Sequence, residues 1–412
     1  MTHPQHHEIV VIGAGIAGAT ITNELLSRGC HVCIVDAAPT PASACSSHAY
    51  AIAHPHVGRG SPRLLRLTRI AFLLAEARWG KVWNAHGIFQ PSKKDKAFDR
   101  QELENHLLSL ELDQKMAKVL DANEAEKICG VKQSGIWLPR GGSLNLARST
   151  NELLKPHQNL TTLFETHINY LEHDGDQWKI FNDQGLCIIT SQKIVITAAM
   201  GSKGLMSGID VRLPLKPVRG QLSIFSVAQN NPWVNYLPKT AISGDGYCLP
   251  VERQNDGSYQ WIVGSSFDEG EDDLEIRESS DDFNREQAKG LVNYLQGDIN
   301  ALQKSGAFVG VRCVAGDRLP IIGPLTQRPG IYLATALGSR GVLWSALAAK
   351  LIAAQVLGDD FALVARLGFS ADLVAALAPA RFFAGALAAT PSPLGALASN
   401  SKPIFPSAPK AR

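Results

Sequence analysis

Four apolar residues in a row, Ile9-Val10-Val11-Ile12, stand between Glu8 and Gly13 and predict a short strand buried on both faces. Residues 16–28 carry helical spacing and residues 31–36 return to a strand pattern, so the chain opens as a βαβ unit. Ser61 and Pro62 suit the cap and first position of a second helix, whose apolar residues continue to Trp83. Residues 91–100 are polar and lysine-rich and predict a loop. A helix is expected over 122–129, a strand over 135–138 before Arg140-Gly141-Gly142, and a helix over 143–154. Strands near Leu160, Trp178 and Ile188 and a buried strand over 193–198 follow. From Pro214 to Phe267 apolar and polar residues alternate, with a turn at Asn255-Asp256-Gly257, as an antiparallel sheet requires. The pattern closes with a helix over 281–295, a strand over 330–335 and a helix over 341–357. After Pro379 the chain is rich in Ala, Ser and Pro, and its last dozen residues are expected to be disordered.

Length and composition narrow this picture. A chain of 412 residues, 45% hydrophobic and 19% charged, is core-forming and of a size for two domains. The net charge of +2 imposes neither a nucleic-acid nor a membrane reading. The start, Met1 to Glu8, lacks the basic and apolar regions of a secretory signal. No run of about twenty apolar residues survives, because residues 331–357 contain Arg340 and Lys350. Seven cysteines, an odd number, form no disulfide framework. A soluble, cytoplasmic protein with reduced thiols and no membrane association is expected. Cys30-His31-Val32-Cys33 has C-x-x-C spacing, but residues three apart on a strand point to opposite faces, so no metal site is expected.

Gly13-Ala14-Gly15-Ile16-Ala17-Gly18 fits G-x-G-x-x-G after a strand and at the opening of a helix. The first glycine permits the tight turn, the second lets a pyrophosphate approach the backbone, and the third lets helix and strand pack closely. The helix N-terminus offers unpaired N–H groups to that phosphate. Asp36, at the end of the second strand, stands where a carboxylate would bind a ribose hydroxyl. A glycine-rich turn that merely packs a helix explains the glycines but not Asp36.

Further segments extend the pattern: Ser43-Ala44-Cys45-Ser46-Ser47, the strand 194–198 ending in Ala199-Met200-Gly201, and Gly330 to Gly341. With these the chain resembles the D-amino-acid-oxidase-like FAD enzymes. Within them it is most similar to the FAD-dependent domain of the bacterial tRNA-modifying MnmC enzymes. The matching segments are Leu138-Pro139-Arg140-Gly141-Gly142, Pro217-Val218-Arg219-Gly220-Gln221, Gly310-Val311-Arg312-Cys313 with Asp317-Arg318-Leu319-Pro320, Ala336 to Gly341, and Pro379-Ala380-Arg381-Phe382. The resemblance spans residues 8–383. Ser143, Leu146 and Leu343-Trp344-Ser345 depart from the usual residues. The bifunctional members carry a fused methyltransferase domain that has no counterpart in this sequence, so a separate methyltransferase is an expected partner.

The resemblance implies an α/β (overall α+β) fold: a discontinuous Rossmann-like FAD-binding domain over 1–90, 140–213 and 306–378, and an antiparallel-sheet substrate domain over 91–139 and 214–305, with 379–412 as a tail. It implies FAD held by Gly13, Ala14, Gly15, Ile16, Ala17, Gly18, Asp36, Ala37, Ser43, Ser46, Ala198, Gly201, Gly338, Ser339, Arg340, Gly341 and Val342. The implied reaction is oxidation of the carboxymethylaminomethyl group on wobble uridine (position 34) of tRNA. Hydride leaves the glycine-like methylene for flavin N5, and water then releases glyoxylate and leaves aminomethyl-uridine. Since the cofactor carries the hard step, no catalytic dyad is required. A substrate carboxylate calls for a guanidinium, and the resemblance makes Arg312 its clamp; the other reading is a structural arginine, salt-bridged beneath the flavin. Arg340 either meets substrate or caps its turn. Tyr247 either lines the pocket or packs as a hydrogen-bonded core tyrosine. Cys313 matches the position of a covalent flavin attachment in sarcosine-oxidase relatives.

Between Gly58 and Arg100 ten basic residues (Arg59, Arg63, Arg66, Arg69, Arg78, Lys81, Lys93, Lys94, Lys96, Arg100) face Glu76, Asp95 and Asp99. Such a cluster either tracks a phosphate backbone or is a solvated helix face. The acidic stretch Asp268 to Asp282 is expected to face away from any RNA. Two other readings remain: an oxidase of free glycine, sarcosine or D-amino acids, and a non-catalytic FAD- or tRNA-binding accessory. Nothing predicts a coiled-coil or repeat interface between subunits.

Overall fold

The computed structural model describes residues 3–383 apart from 59, 94–97, 232, 233, 235, 236, 251 and 292–301. The expected disordered tail, and Arg59, Lys94 and Lys96, lie outside the described residues. So does the end of the helix expected over 281–295, which is described as Glu278–Leu291.

Six strands form the central sheet in the order Ile321–Pro324, Ile331–Thr335, Lys193–Ile196, Ile9–Ile12, Val32–Val35, Leu160–Leu163. All neighbours are parallel except the first pair. Ile9 and Val11 enter one apolar core, and Val10 and Ile12 enter another on the opposite face. That two-sided burial is why the sequence shows an unbroken apolar run and not an alternation. The first core holds the helices Ile16–Ser27, Pro62–Trp79 and Gly341–Leu357. The last of these is buried on nearly every side, as its continuous apolar composition demands. Its Lys350 reaches Glu24 at 2.8 Å, and Glu24 also binds Arg28 and Arg78. The second core fills the space to a four-stranded sheet of Gln5–His6, Cys187–Ser191, Gln177–Asn182 and Ile168–Asp174. Cys30 belongs to the first core and Cys33 to the second, and burial raises the Cys33 thiol to about 12.

A separate mixed sheet of ten strands is built around the long antiparallel pair Leu215–Val227 and Gln303–Ala315. It also takes in Ile88–Pro91, Lys118–Leu120 and Gly135–Leu138. Gln303–Ala315, which straddles the boundary drawn at residue 306, pairs with Leu215–Val227 along its length. A third core lies between this sheet and the helices Ala122–Cys129 and Glu278–Leu291.

One local expectation is corrected. Residues 143–144 are strand, not helix: Gly142–Leu144 pairs with Ala51–Ala53, and the helix Leu146–Leu153 starts only after Asn145, whose side chain accepts from the Arg148 N–H. The polar stretch after residue 91 ends in the helix Arg100–Ser109, capped by Asp99. The acidic stretch from 268 to 282 does not simply face solvent. Arg219, fully buried, binds Asp268 at 2.8 Å, Ser280, Gln221 and the Glu275 carbonyl, and lies 3.4 Å from Asp273. Asp281 accepts from Gln221 and Ser223 and pairs with Lys304. Carboxylates offset the desolvation of the buried Arg219 guanidinium, and this segment supplies them. The basic cluster is likewise partly consumed: Arg69 pairs with Glu111, Arg78 with Glu24, and Arg100 with Asp121 and Glu124. Arg381, in one of the resemblance segments, closes on Asp317 in another.

Candidate functional site

A cleft of about 1010 Å³ runs from the C-terminal ends of the central strands to the ten-stranded sheet. At one end Gly13 has φ +108°, and a Cβ there would stand 2.9 Å from the Thr197 carbonyl. A Cβ on Gly18 would stand 1.8 Å from the Gly13 carbonyl oxygen, so helix and strand touch backbone to backbone. The Thr197 hydroxyl locks this turn by donating to the Ile12 and Gly13 carbonyls at 2.9 and 2.8 Å. No side chain caps the helix at Gly15, and Ser46 accepts from the Ile16 N–H at 3.0 Å. Asp36 accepts from the Ala14 and Ala38 N–H groups at 2.5 and 2.8 Å, which fixes its carboxylate at the cleft edge.

Backbone strain gathers along the middle. Ala199 and Ala336, both in the wall, have φ of 46° and 59°, and Gly338 has φ 56°. Alanine rarely adopts such angles, and strain of this kind concentrates at ligand sites. The helix that starts at Gly341 also has no side-chain cap, so its first N–H groups face the cleft. Two helix N-termini without side-chain N-cap residues, a glycine cradle and a carboxylate at the cleft edge fit the phosphates and sugar of FAD.

Arg312 occupies the far end. Its guanidinium lies flat against Gly220, where a Cβ would come within 2.2 Å of it. It donates to the carbonyls of Arg219 and Ser266 at 3.4 and 3.3 Å and to the Ser265 hydroxyl. No carboxylate stands within ion-pair distance of it among the described residues, and burial lowers its pKa. Tyr247, Phe267, Phe308 and His48 surround it in the cleft wall. Burial raises the Tyr247 phenol to about 12, with Arg312 pulling the other way. Arg340 lies 3.4 Å from His56, and burial lowers its pKa too.

The structure thus brings Arg312, Tyr247 and Arg340 into one cleft with Gly13, Gly15, Ile16, Ala17, Asp36, Ala37, Ser46, Ala198, Gly201 and residues 338–342. Ala14, Gly18 and Ser43 fall outside its wall. Gly18 is spent on helix–strand packing, and Ser43 is exposed with its hydroxyl on the Thr40 carbonyl. Cys313 is buried in the wall, its Sγ 3.7 Å from the Thr335 hydroxyl.

Sequence reasoning missed three histidines. Along residues 50–57 the odd positions Ala51, Ala53, Pro55 and Val57 are buried. The even positions are only partly buried, and of these Ile52, His54 and His56 border the cleft, as does His48. That period-2 pattern was the available signal. Burial lowers His54 to about 4, with Arg340 and His56 adding to the effect against the Pro55 carbonyl. Burial and Arg312 lower His48 to about 4. Both are neutral at physiological pH.

Residues 8–355 match the family model described as FAD dependent oxidoreductase (DAO), and the chain belongs to that family of flavin enzymes. Curated relatives at 30 to 31% identity bear the name tRNA 5-methylaminomethyl-2-thiouridine biosynthesis bifunctional protein MnmC. The protein from Burkholderia multivorans is 30% identical over 88% of this chain, and that from Ralstonia nicotianae 31% identical over 90%. The chain spans 58 and 60% of their lengths. Among solved structures, glycine oxidase from Geobacillus kaustophilus superposes with a TM-score of 0.68 at 18% identity, covering 86% of this chain and 96% of that one. L-proline dehydrogenase from P. horikoshii gives 0.70 at 16%, covering 92 and 99%. These likenesses establish the fold. Among the described residues no helix is long and apolar enough to cross a membrane.

Proposed function

We propose that this chain oxidises the carboxymethylaminomethyl group on the wobble uridine, position 34, of tRNA, in the cytoplasm, releasing glyoxylate and leaving aminomethyl-uridine. FAD, when bound, supplies the two-electron acceptor. The observation that carries the reading is Arg312, a cation in the cleft wall with no carboxylate partner among the described residues. A planar guanidinium so placed binds both oxygens of a substrate carboxylate. The glycine-like end of the modified uridine provides that carboxylate, and the names of the curated relatives point to a modified uridine in tRNA.

The remaining side chains suit an amine substrate. The charges of Arg312 and Arg340 oppose an ammonium group in the cleft, so they favour the neutral amine from which oxidation proceeds. His48 and His54, both neutral, add no further charge. Removal of two electrons and two protons from the C–N bond, followed by addition of water, divides the substrate into its two products.

The test is anaerobic mixing of the flavoprotein with tRNA carrying carboxymethylaminomethyl-uridine. Bleaching of the flavin by this tRNA, and not by glycine, sarcosine or D-alanine, is the expected result. Bleaching by the free amino acids alone overturns the tRNA reading.

A further inference from the structure

Phe267 is a large aromatic residue on the cleft wall and is 47% exposed. It follows the strand Tyr259–Gly264, on the segment that supplies Ser265 and Ser266 to Arg312. The Arg312 guanidinium stands over its ring, 5.6 Å from the centroid. One face of the ring is therefore taken by the clamp, and solvent exposure lies elsewhere on it. The other aromatic residues beside Arg312, Tyr247 and Phe308, are both more enclosed, and Phe308 packs on His48 at 5.2 Å.

A small amino acid bound at Arg312 has no use for an exposed ring beside its carboxylate. A nucleobase does. In the substrate proposed above, a methylene–amine–methylene linkage joins the carboxylate to the uracil ring, so both ends reach neighbouring side chains. Resting on that tRNA reading, we infer that Phe267 is the stacking platform for the pyrimidine base that carries the reacting group, and that it sets the preference for a nucleotide over a free amino acid. Extruded bases are held by aromatic faces in this way, and each stack contributes enough affinity to be seen in a single substitution.

The experiment measures the Kd of the flavoprotein for an anticodon stem-loop carrying carboxymethylaminomethyl-uridine at the wobble position, and in parallel its affinity for sarcosine through the flavin spectrum. Phe267→Ala should weaken stem-loop binding about 5- to 150-fold and weaken sarcosine binding far less. Phe267→Leu keeps apolar bulk without a π face and should lose nearly as much, whereas Phe267→Trp should bind as the wild type does. Retained flavin content and Tm show that each variant is folded, and Leu and Trp serve if Ala is not.

Equal stem-loop affinity in wild type and Phe267→Leu overturns the assignment, as does an equal loss for sarcosine. If wild-type protein is reduced by the stem-loop while Phe267 has no effect, only the stacking role falls. If the wild type neither binds nor is reduced by it, the tRNA reading falls, and the stacking role with it.

Discussion

Arg312→Met separates a substrate clamp from a structural arginine. The substitution keeps most of the side-chain length and removes the charge. Two opposing effects act on stability. Burial disfavours the cation, so its removal relieves a cost. Against this, the contacts to the Arg219 and Ser266 carbonyls at 3.4 and 3.3 Å are lost, along with that to Ser265. These are long for charged hydrogen bonds and no ion pair is broken, so the balance falls within about 1 kcal/mol. For a chain of this size that is a Tm change of about 1 °C in either direction. The effect on substrate is much larger. Truncating one side of a desolvated, hydrogen-bonded charge pair costs about 2–5 kcal/mol, which is about 30- to 5,000-fold in kcat/KM. Arg312→Lys keeps a point charge without the fork and should fall between. The assay is anaerobic flavin reduction by modified tRNA, with Tm and flavin content read on the same preparations. A Tm loss above about 10 °C, with activity falling only in step with flavin content, refutes the clamp and makes Arg312 structural.

Three further outcomes follow from the geometry. Gly13→Val forces a side chain onto the Thr197 carbonyl at a φ of +108° and should yield protein with little bound flavin, read from the ratio of absorbance at 450 and 280 nm, wavelengths at about which flavin and protein absorb. Asp36→Asn, which loses a charged acceptor for the Ala14 and Ala38 N–H groups, should weaken FAD binding about 10- to 100-fold in a titration of the apoprotein. The third outcome concerns Glu24. Burial works against its charge, but Lys350, Arg78 and Arg28 together hold its pKa below the ordinary value of 4.5. Its contribution to stability is therefore present above that value and is lost as pH falls through the lower, folded-state pKa. Glu24→Gln should lower Tm at pH 7 and narrow its gap to the wild type toward pH 3, and a constant gap would count against the charge network.

The nucleotide half of the protein was legible in the chain because its determinants are local. A run of apolar residues, a glycine spacing and an acid eighteen residues beyond Gly18 specify a strand, a turn and a helix within one βαβ unit. The same holds for the helix Ala122–Cys129, whose capping box joins Asp121 and Glu124. By contrast, charge partners distant in sequence were not legible. Arg78 belongs to the basic cluster by sequence, yet it is neutralised by Glu24, fifty-four residues away. Asp268 and Asp273 of the acidic stretch reach Arg219, which lies buried in the neighbouring strand Leu215–Val227, while most of that stretch stays exposed.

The site divides in the same way. Sequence alone marked Gly13, Gly15 and Asp36 as the expected dinucleotide site. Only the tertiary structure set Arg312 without a carboxylate beside Tyr247 and Phe267, because these residues come from two strands and a loop brought together by the pairing of Gln303–Ala315, Leu215–Val227, Tyr259–Gly264 and Tyr247–Cys248. It alone aimed the histidines flanking Ala51–Ala53 into the cleft, through a short strand whose odd-numbered side chains the core claims. Local patterns encode what neighbouring residues can form; which cation is left unpaired depends on every charge the fold brings near it.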